Sequence, residues 1–383
     1  MNDSKRSAQR AASEARSEPK ANGVTTGGER RRVVVGLSGG VDSSVAAALL
    51  VEQGCEVIGV TMHLAGGASR CCSLDDADDA RRVAEQLGIR FYVANYTREF
   101  REEVMLPFAD AYLAGRTPLP CATCNSRFKF DHLLARARAL GADEVATGHY
   151  ARIGVDPVTG LRTLRSARDP AKDQSYFLFG LRPAQLARAR FPLGELDKPA
   201  VRERARALGL ATAEKPESQE LCFVPDGDTA GAVERLRPER APGAGDIVDE
   251  AGRRLGRHRG IHRYTVGQRR GLGVAGREPL YVKSLDPERN RVVVGGAAAL
   301  AAEHATLEGV SWIAGTAPSA RIEARVRIRY RHEGAPATVE ATAAGGARVD
   351  FHEPVRALAK GQAAVFYAGD RVLGGGWIAG PGG

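Results

Sequence analysis

Long apolar runs are scarce in this chain of 383 residues. No stretch of about 18 apolar residues occurs, which excludes a transmembrane helix, and the N-terminus lacks the apolar core of a secretory signal. Residues 1–31 are polar and nearly free of large apolar side chains, so they are predicted to form a disordered extension. We expect a cytoplasmic protein that has no membrane partner and is a monomer or a weak oligomer.

Cysteine is also rare, and its spacing is too irregular for the disulfide scaffold of a small secreted protein. The six cysteines are Cys55, Cys71, Cys72, Cys121, Cys124 and Cys222. Cys121 and Cys124 form a C-x-x-C pair, a spacing shared by zinc sites, iron–sulfur clusters, redox thiols and plain buried thiol pairs. No second C-x-x-C pair completes a zinc site, and Arg127 and Lys129 favour a nearby thiolate. Cys124 is therefore a candidate nucleophile.

Negative charge is in deficit, since the formal net charge is +9 and the pI is about 9.4. A basic chain suits a polyanionic partner such as RNA. Arginine outnumbers lysine and alanine is abundant, however, as a GC-rich genome would also produce. The charge alone therefore does not establish nucleic-acid binding, and the motifs must decide.

The pattern of apolar residues changes along the chain. In residues 32–215, short apolar strands such as EVIGVTM and DEVATGH alternate with helical stretches, which predicts a parallel α/β sheet with ligands at the carboxyl ends of its strands. Further on, proline, glycine and short alternating strands dominate. We predict a catalytic α/β domain (32–215), a small linker domain (216–287) and a C-terminal antiparallel β-barrel (288–383).

The lysine of the usual nucleotide loop is missing from VVVGLSGGVDSSVAAALL, residues 33–50, although this strand-to-helix turn otherwise suits a phosphate. Gly39 and Gly40 let the backbone approach a ligand, and free N–H groups at the start of a helix over residues 43–52 favour an anion. Ser43 and Ser44 stand where the lysine would be. We expect hydroxyl and backbone donors to hold the phosphate oxygens.

The order Ser-Gly-Gly-x-Asp-Ser resembles the pyrophosphatase loop of N-type ATP pyrophosphatases, which split ATP between its α and β phosphates and adenylate a carbonyl oxygen. Further motifs match one family in order: GLSGGVDSSVAA, GRTPLPCATCN, ATGHYAR, KDQSYFLF, FPLGELDKP, LCFVPDGD and YTVGQRRGLG. The chain resembles the tRNA-specific 2-thiouridylases, the MnmA family. The resemblance implies an adenine-nucleotide α-hydrolase-like catalytic domain and ATP-dependent 2-thiolation of the wobble uridine of tRNA.

For the nucleotide, the resemblance implies a site made by the loop and two later strand ends. The ATP-binding residues would be Gly36, Leu37, Ser38, Gly39, Gly40, Val41, Asp42, Ser43, Met62 and Gly148. Asp42 would lie by the phosphates and their Mg²⁺. A residue at a strand end is by default part of the core, so a core role is the alternative for Met62.

For sulfur, the resemblance assigns the persulfide to Cys222 and the nucleophile to Cys124, and it implies a disulfide between the two. One thiol can carry sulfur as a persulfide while a second releases it by attacking the S–S bond. Leu119, Pro120 and Cys121 would contact the target base. Many family members have Asp where this chain has Cys121, and these three cysteines could instead hold an iron–sulfur cluster. We favour the persulfide route, which requires a persulfide donor or a sulfur-relay protein.

For tRNA, the resemblance implies contacts from His149, Lys172, Asp173, Gln174, Arg329, Tyr330 and Gln362. Lys172 would supply a phosphate contact, and a tyrosine beside an arginine on a β-surface can stack a base. Structural alternatives exist, because His149 could be a polar residue at a strand end and the KDQ triplet a solvated loop.

Two other functions are compatible with part of this pattern. The same loop could adenylate a different carbonyl compound, as in argininosuccinate or GMP synthesis. An RNA-binding protein could also retain an idle nucleotide loop. Three thiols beside an intact loop favour sulfur transfer to RNA over both alternatives.

Overall fold

The computed structural model describes residues 30–64, 74–217, 221–224 and 227–381. Residues 1–29 of the predicted N-terminal extension lie outside the described part, as do Cys71 and Cys72. The strands are β1 (Arg32–Gly36), β2 (Glu56–His63), β3 (Arg90–Asn95), β4 (Glu144–Thr147), β5 (Arg152–Val155), β6 (Arg162–Arg165), β7 (Ala189–Arg190), β8 (Gly245–Val248), β9 (Arg254–His258), β10 (Tyr281–Asp286), β11 (Arg291–Gly295), β12 (Ala301–Trp312), β13 (Ile322–Arg327), β14 (Ala335–Ala341), β15 (Ala347–Arg356), β16 (Ala363–Ala368) and β17 (Arg371–Pro381).

The helices concentrate in the first half of the chain. They are α1 (Val41–Glu52), α2 (Leu74–Leu87), α3 (Thr97–Phe100), α4 (Leu106–Leu113), α5 (Pro120–Thr123), α6 (Phe130–Ala139), α7 (Pro183–Leu186), α8 (Lys198–Ala207) and α9 (Thr229–Leu236). Two π-helical turns, Arg101–Met105 and Cys124–Lys129, join α3 to α4 and α5 to α6. None of the helices in the described part of the chain is long and apolar enough to cross a bilayer.

The first sheet is parallel and has the strand order β3-β2-β1-β4-β7. Val33, Val34 and Val35 of β1 are fully buried, as expected for a parallel strand that is covered on both faces. Helix α1 begins at Val41, two residues before the predicted start, and packs with α8 through a cluster that includes Val201. The predicted parallel α/β sheet is confirmed.

The second sheet is small and mixed, with the strand order β10-β11-β8-β9. β11 pairs parallel to β8, whereas the other neighbours are antiparallel. Its core contains Ile247, Val282, Val292 and Val294. β11 completes this sheet although it lies beyond residue 287, where the sequence pattern suggests the start of the barrel.

The C-terminal strands form a closed antiparallel barrel in the order β12-β15-β14-β13-β16-β17, and pairing between β12 and β17 closes it. Closure leaves no free edge within the barrel. Apolar side chains fill the interior, among them Val326, Val339, Val349 and Phe366, each fully buried. The predicted antiparallel β-barrel is confirmed.

A hairpin from the first half of the chain joins the barrel. β6 pairs with β17, and β5 pairs with β6, so this hairpin extends the barrel sheet. Asp370 accepts from Arg152 and Arg165 of the hairpin at 2.8 and 3.2 Å. The barrel is therefore attached directly to the region that follows β4, which contains Gly148, His149 and the KDQ triplet.

Candidate active site

A cleft of about 1190 Å³ opens at the carboxyl ends of β1, β2 and β4. Ligands collect at this edge in open parallel sheets. Of the predicted site residues, those that line the cleft are Gly36, Leu37, Ser38, Gly40, Val41, Asp42, Ser43, Met62, Leu119, Cys121, Gly148, His149, Lys172, Asp173, Gln174 and Tyr330. Those outside its lining are Gly39, Pro120, Cys124, Cys222, Arg329 and Gln362.

The nucleotide loop, residues 36–43, is organised by its own hydroxyl groups. The backbone N–H of Ser38 donates to Ser43 Oγ at 3.1 Å, and the two serine hydroxyls are 3.2 Å apart. Ser43 and Ser44 both donate to the carbonyl of Gly40, which precedes α1. The start of α1 thus faces the cleft with its backbone dipole, the arrangement that binds anions.

Two glycines allow the loop to lie close to its neighbours. Gly39 has φ of +70°, and a Cβ there would be 2.2 Å from the carbonyl oxygen of Asp76. A Cβ on Gly148 would be 2.6 Å from the backbone nitrogen of Ser43. Both positions therefore exclude a side chain, which explains why glycine occupies them.

Met62 serves the core and the cleft together. Its side chain is 6 % exposed and belongs to the large apolar cluster around β1 and β2, yet it also lines the cleft. Val60 and Leu64, on the same strand end, line the cleft too. These apolar walls suit the flat face of a purine.

Asp42, the second residue of α1, is fixed by two residues that the sequence analysis did not select. The Lys198 ammonium lies 2.7 and 2.8 Å from the two carboxylate oxygens, and the Tyr150 hydroxyl donates to Oδ1 at 2.7 Å. Burial, and then the charge of Asp42, raise the pKa of Tyr150 well above its usual value, so it stays a donor. Tyr150 and Lys198 lie in two of the motifs that carry the family resemblance, ATGHYAR and FPLGELDKP. Neither motif, however, predicts a contact with Asp42.

Glu217 links two lysines at the wall of the cleft. Its Oε1 lies 2.7 Å from Lys198 and its Oε2 lies 2.6 Å from Lys172. Burial alone would raise the pKa of Glu217, but hydrogen bonds from both lysines outweigh it and lower the pKa to about 2. Asp42, Lys198, Glu217 and Lys172 therefore form a charged chain, and Lys172 is not the solvated residue of the simpler interpretation.

The other two residues of the KDQ triplet, Asp173 and Gln174, hold neighbouring parts of the site in place. Asp173 is 4 % exposed and accepts from the backbone of Ala167 and from the Arg327 guanidinium. Gln174 accepts from the backbone N–H of Tyr150, and its own N–H donates to the Tyr150 carbonyl. Asp173 thus holds an arginine of the barrel, and Gln174 holds the tyrosine that contacts Asp42.

His149 lies between aromatic rings at the cleft wall. Its ring centroid is 6.3 Å from Phe130 and 6.0 Å from Phe191, and its Nδ1 lies 2.7 Å from Thr147 Oγ1. Burial, and then the charge of Lys129, lower the pKa of His149 well below its usual value. The imidazole is therefore neutral near pH 7 and offers a hydrogen bond rather than a charge.

The cysteines occupy three different environments. Cys121 is exposed in α5, Cys124 is 8 % exposed at the first position of a π-helical turn, and Cys222 is half-buried. Cys124 and Phe223 belong to one apolar cluster, and Cys222 packs against it. In the described part of the chain, no three His, Cys, Asp or Glu side chains come together in a group that could hold a metal ion.

The predicted RNA contacts of the barrel fall at the mouth of the cleft and beside it. Arg329 is exposed, whereas Tyr330 lines the cleft with its ring 4.5 Å from that of Phe177. Gln362 donates to the carbonyl of Thr117 at 3.0 Å. Gln362 therefore ties the barrel to the loop that leads to Leu119, the first predicted contact of the target base.

The parallel sheet, its lysine-free phosphate loop and the adjoining helix α5 define a nucleotide-binding α/β protein with one thiol, that of Cys121, in the lining of its cleft. Family models match in order: "tRNA methyl transferase HUP domain" at residues 31–226, "tRNA methyl transferase PRC-barrel domain" at 234–296 and "Aminomethyltransferase beta-barrel domain" at 302–378.

Relatives match over nearly the whole chain. A tRNA-specific 2-thiouridylase MnmA of Solibacter usitatus is 53% identical, over 90% of this chain and 98% of the relative. One of Geobacter metallireducens is 53% identical, over 91% and 97%. This chain belongs to the tRNA-specific 2-thiouridylase (MnmA) family. A solved 4-thiouridine synthetase–RNA complex with bound ATP aligns at 18% identity and a TM-score of 0.34, over 55% of this chain and 51% of that one.

Proposed function

We propose that the protein catalyses ATP-dependent 2-thiolation of the wobble uridine of tRNA. One observation carries the proposal: a single cleft is lined by the phosphate loop, by Leu119 and Cys121, and by the KDQ triplet. Membership of a family whose relatives are named tRNA-specific 2-thiouridylases supports it. The reaction consumes ATP and releases AMP and pyrophosphate.

The first step activates the base. The C2 oxygen of the uridine attacks the α-phosphorus of ATP, and pyrophosphate leaves with the electron pair of the broken P–O bond. Backbone N–H groups and the hydroxyls of Ser38 and Ser43 hold the departing oxygens. The Asp42 carboxylate at the cleft fits Mg²⁺, which proteins hold through one or two carboxylates and substrate phosphates, and the ion would neutralise phosphate charge.

The second step transfers sulfur. The terminal sulfur of a persulfide on Cys222 attacks C2, and AMP leaves in place of hydroxide. The Cys124 thiolate then attacks the Cys222 sulfur, the S–S bond breaks, and the sulfur stays on C2 as the thiocarbonyl. The two cysteines are thereby oxidised to a disulfide, and an external thiol must reduce it. We infer a cytoplasmic location, because that compartment supplies both the reductant and tRNA.

The residues around the cysteines do not assemble a metal site among the described residues, so we derive no step through an iron–sulfur cluster. On the persulfide route, which we propose, sulfur arrives from a persulfide donor or a sulfur-relay protein. RNA binding involves the exposed Arg329, the half-buried Tyr330 and the neutral His149. Together they suit a phosphate contact, base stacking and a hydrogen bond at the mouth of the cleft.

The test is a reconstituted reaction. The protein is incubated with ATP, Mg²⁺, a persulfide donor and unmodified tRNA, and the nucleosides are examined by mass spectrometry for 2-thiouridine at the wobble position. We expect 2-thiouridine and AMP in equal amounts, and neither product without ATP. Binding of tRNA with no ATP consumption would instead favour the idle-loop alternative.

A further inference from the structure

The base loop, residues 114–119, connects α4 to α5 and leads directly into the predicted contacts of the target base. Its last residue, Leu119, lines the cleft together with Cys121 of α5. Pro118 fixes its own φ angle and restricts the residue before it, so the backbone between Thr117 and α5 has little freedom. The position of Thr117 therefore influences where Leu119 lies.

The two ends of the base loop are held within the catalytic domain. The N–H groups of Gly115 and Arg116 donate to carbonyls of α4 at 3.0 and 2.9 Å. At the other end, Leu119 packs against the large apolar cluster, and Pro120, which begins α5, is buried. These contacts fix where the loop starts and ends, and they leave the course of its middle to other partners.

Both backbone groups of Thr117, in the middle of the loop, are bound by the barrel. Its N–H donates to the Lys360 carbonyl at 2.7 Å, and its carbonyl accepts from the Gln362 side-chain amide at 3.0 Å. The two partners are themselves fixed, because the Gly361 N–H donates to the Ile378 carbonyl and the Ile378 N–H donates to the Gln362 carbonyl, each at 2.8 Å. Ile378 belongs to β17, the strand that closes the barrel. The middle of the base loop is therefore attached to a hydrogen-bonded part of the barrel.

The base loop is also closely packed. Gly361 has φ of +86°, and a Cβ there would lie 3.0 Å from Arg116 Cβ and 3.2 Å from the backbone nitrogen of Thr117. The linker domain approaches the same loop, since a Cβ on Gly115 would lie 3.2 Å from the Cβ of Leu285 in β10. The loop therefore has little room to move toward either domain.

An RNA contact and this hydrogen bond make different demands on Gln362. A carbonyl only accepts, so the amide nitrogen of Gln362 must face Thr117. The Gln362 side chain is half-buried and outside the cleft lining, and it carries no charge for the electrostatic part of phosphate binding. The geometry therefore favours a role toward the base loop over a role toward RNA.

We propose that Gln362 is a positioning residue: with the Lys360 carbonyl it fixes the course of the base loop, and so holds Leu119 and Cys121 where the target base enters the cleft. This rests on the proposed function and replaces the predicted RNA contact of Gln362 by a contact within the chain. The barrel, which carries other predicted RNA contacts, then also sets the contacts of the base. The protein thereby fixes the distance between the RNA-binding surface and the site of chemistry before tRNA binds.

The first measurement is hydrogen exchange of the Thr117 amide, resolved by mass spectrometry with fragmentation, on the full chain without ATP or tRNA. Gln362→Met gives a side chain of similar size without the donor, so the opening that frees the Thr117 N–H from Lys360 becomes easier. We expect exchange about 3–10-fold faster, the equilibrium effect of one hydrogen bond. Exchange in β15, read from the same digest, should be unchanged, which shows that the barrel is folded.

The second measurement is the kinetics of thiolation with saturating ATP. We expect Gln362→Met to lower kcat by about 10–100-fold, the cost of a small displacement at reacting groups, while the Kd for tRNA and its salt dependence keep their wild-type values. Gln86→Met is the matched control, since Gln86 of α2 also donates to a backbone carbonyl at 3.0 Å, but to that of Gly209 and not to the base loop. It should behave as the wild type does in both measurements.

A second variant disturbs the same contact while the Gln362 amide stays in the chain. The Cβ of Gly361→Ala would press on the backbone of Thr117, so we expect faster Thr117 exchange and a lower kcat here too. Exchange in β15 again shows whether the barrel is folded.

Either of two results for Gln362→Met would overturn the proposal: an unchanged rate of Thr117 exchange, or a loss confined to tRNA affinity with the wild-type kcat. The exchange measurement uses neither ATP nor tRNA, so it does not depend on the proposed function. Formation of 2-thiouridine by the wild type, together with unchanged exchange in Gln362→Met, would reject the positioning role and leave the proposed function standing.

Discussion

In the nucleotide half of the cleft (residues 36–43, Met62 and Gly148), backbone and hydroxyl groups are already set for an anion. The sulfur half (Cys121, Cys124 and Cys222) differs, because only Cys121 lines the cleft and Cys124 is 8 % exposed within an apolar cluster. The two halves adjoin one another, yet one is open and the other is largely covered.

The difference follows from the chemistry of each half. Phosphates and a leaving pyrophosphate need fixed donors, since preorganised dipoles stabilise developing charge without reorganisation. A persulfide must first meet its donor, then the base, and finally a second thiol, so no single position serves all three steps. The π-helical turn that begins at Cys124 fits such a role, because π-turns in helices often mark functional sites.

The largest effect is expected in the sulfur half. Cys124→Ser and Cys222→Ser should each lower thiolation by at least about 1,000-fold, because a hydroxyl can neither carry nor release sulfur. ATP binding, a property of the other half, should be unchanged. The control is Cys55→Ser, a half-buried cysteine after α1 and away from the cleft lining. Wild-type thiolation by either serine variant would contradict the assigned roles.

The next effect is expected in the nucleotide half. Asp42→Ala should reduce pyrophosphate release by about 100-fold, because the carboxylate would hold the Mg²⁺ that neutralises phosphate charge, and loss of one electrostatic contribution to the transition state usually costs about this much. It also leaves Lys198 with Glu217 alone. Affinity for tRNA, measured by filter binding, should stay near the wild-type value, as it should for the exposed Asp78→Ala control. Release at the wild-type rate would exclude Asp42 from the chemistry.

A steric change tests how closely the nucleotide half is packed. The Cβ of Gly148→Ala would lie 2.6 Å from Ser43 N and 2.7 Å from the carbonyl carbon of Asp42, so α1 must shift. We expect a loss of about 1–3 kcal/mol in unfolding free energy, typical of overpacking, together with weaker ATP binding. Gly243→Ala, where a Cβ meets nothing within 4 Å, is the control in urea unfolding. Equal stability of both variants would contradict this packing argument.

How far the sequence predicts each half depends on how local its contacts are. The nucleotide loop is contiguous, so its strand, turn and helix are visible in residues 33–50, and the structure differs only by two residues at the helix start. The sequence does not predict the roles of Lys198 and Glu217, because Lys198 pairs with Asp42, 156 positions away, and Glu217 pairs with Lys198 and with Lys172, 45 positions away. The order of charged residues along the chain does not show which of them form ion pairs in the folded protein.

Pairing between distant residues also explains why other side chains have roles that the sequence does not predict. Asp173 looks like part of a charged turn, but its partner Arg327 lies 154 positions later in the barrel. The alternation of apolar and polar residues does not predict the hairpin of β5 and β6, since this hairpin is stabilised by pairing with β17. Local patterns predict the elements, and contacts between distant segments decide the roles of individual side chains.

A smaller effect is expected from two positively charged side chains that are predicted to contact RNA, Arg329 and Lys172. Arg329 is exposed and donates to the carbonyl of Arg356 at 3.4 Å, whereas Lys172 is paired with Glu217. Arg329→Ala should flatten the plot of log affinity for tRNA against log salt by about 0.7–0.9, one phosphate contact. Lys172→Ala should flatten it less, because the Glu217 carboxylate takes up a cation when Lys172 leaves it. Equal changes would show that the Glu217 pair does not persist in solution.

The smallest effect is expected at Cys121, the one sulfur-half residue that lines the cleft. Under the persulfide route, two cysteines suffice to carry and release sulfur, and Cys121 contributes only a contact with the base. Cys121→Ala should therefore keep thiolation within about 10-fold of the wild type, the loss of a single modest contact. Cys121→Asp, which introduces the residue of many family members, should be tolerated as well.

A paired assay of Cys121→Ala decides between the persulfide route and the iron–sulfur route. One arm is aerobic with a persulfide donor, and the other is anaerobic after iron–sulfur reconstitution with sulfide. An iron–sulfur cluster held by Cys121, Cys124 and Cys222 would lose one of its three ligands in this variant, so activity by that route should collapse together with the cluster absorbance. Substantial aerobic thiolation by Cys121→Ala supports the persulfide route. Activity found only in reconstituted protein with all three cysteines would overturn it, because the sulfur half would then be a metal site.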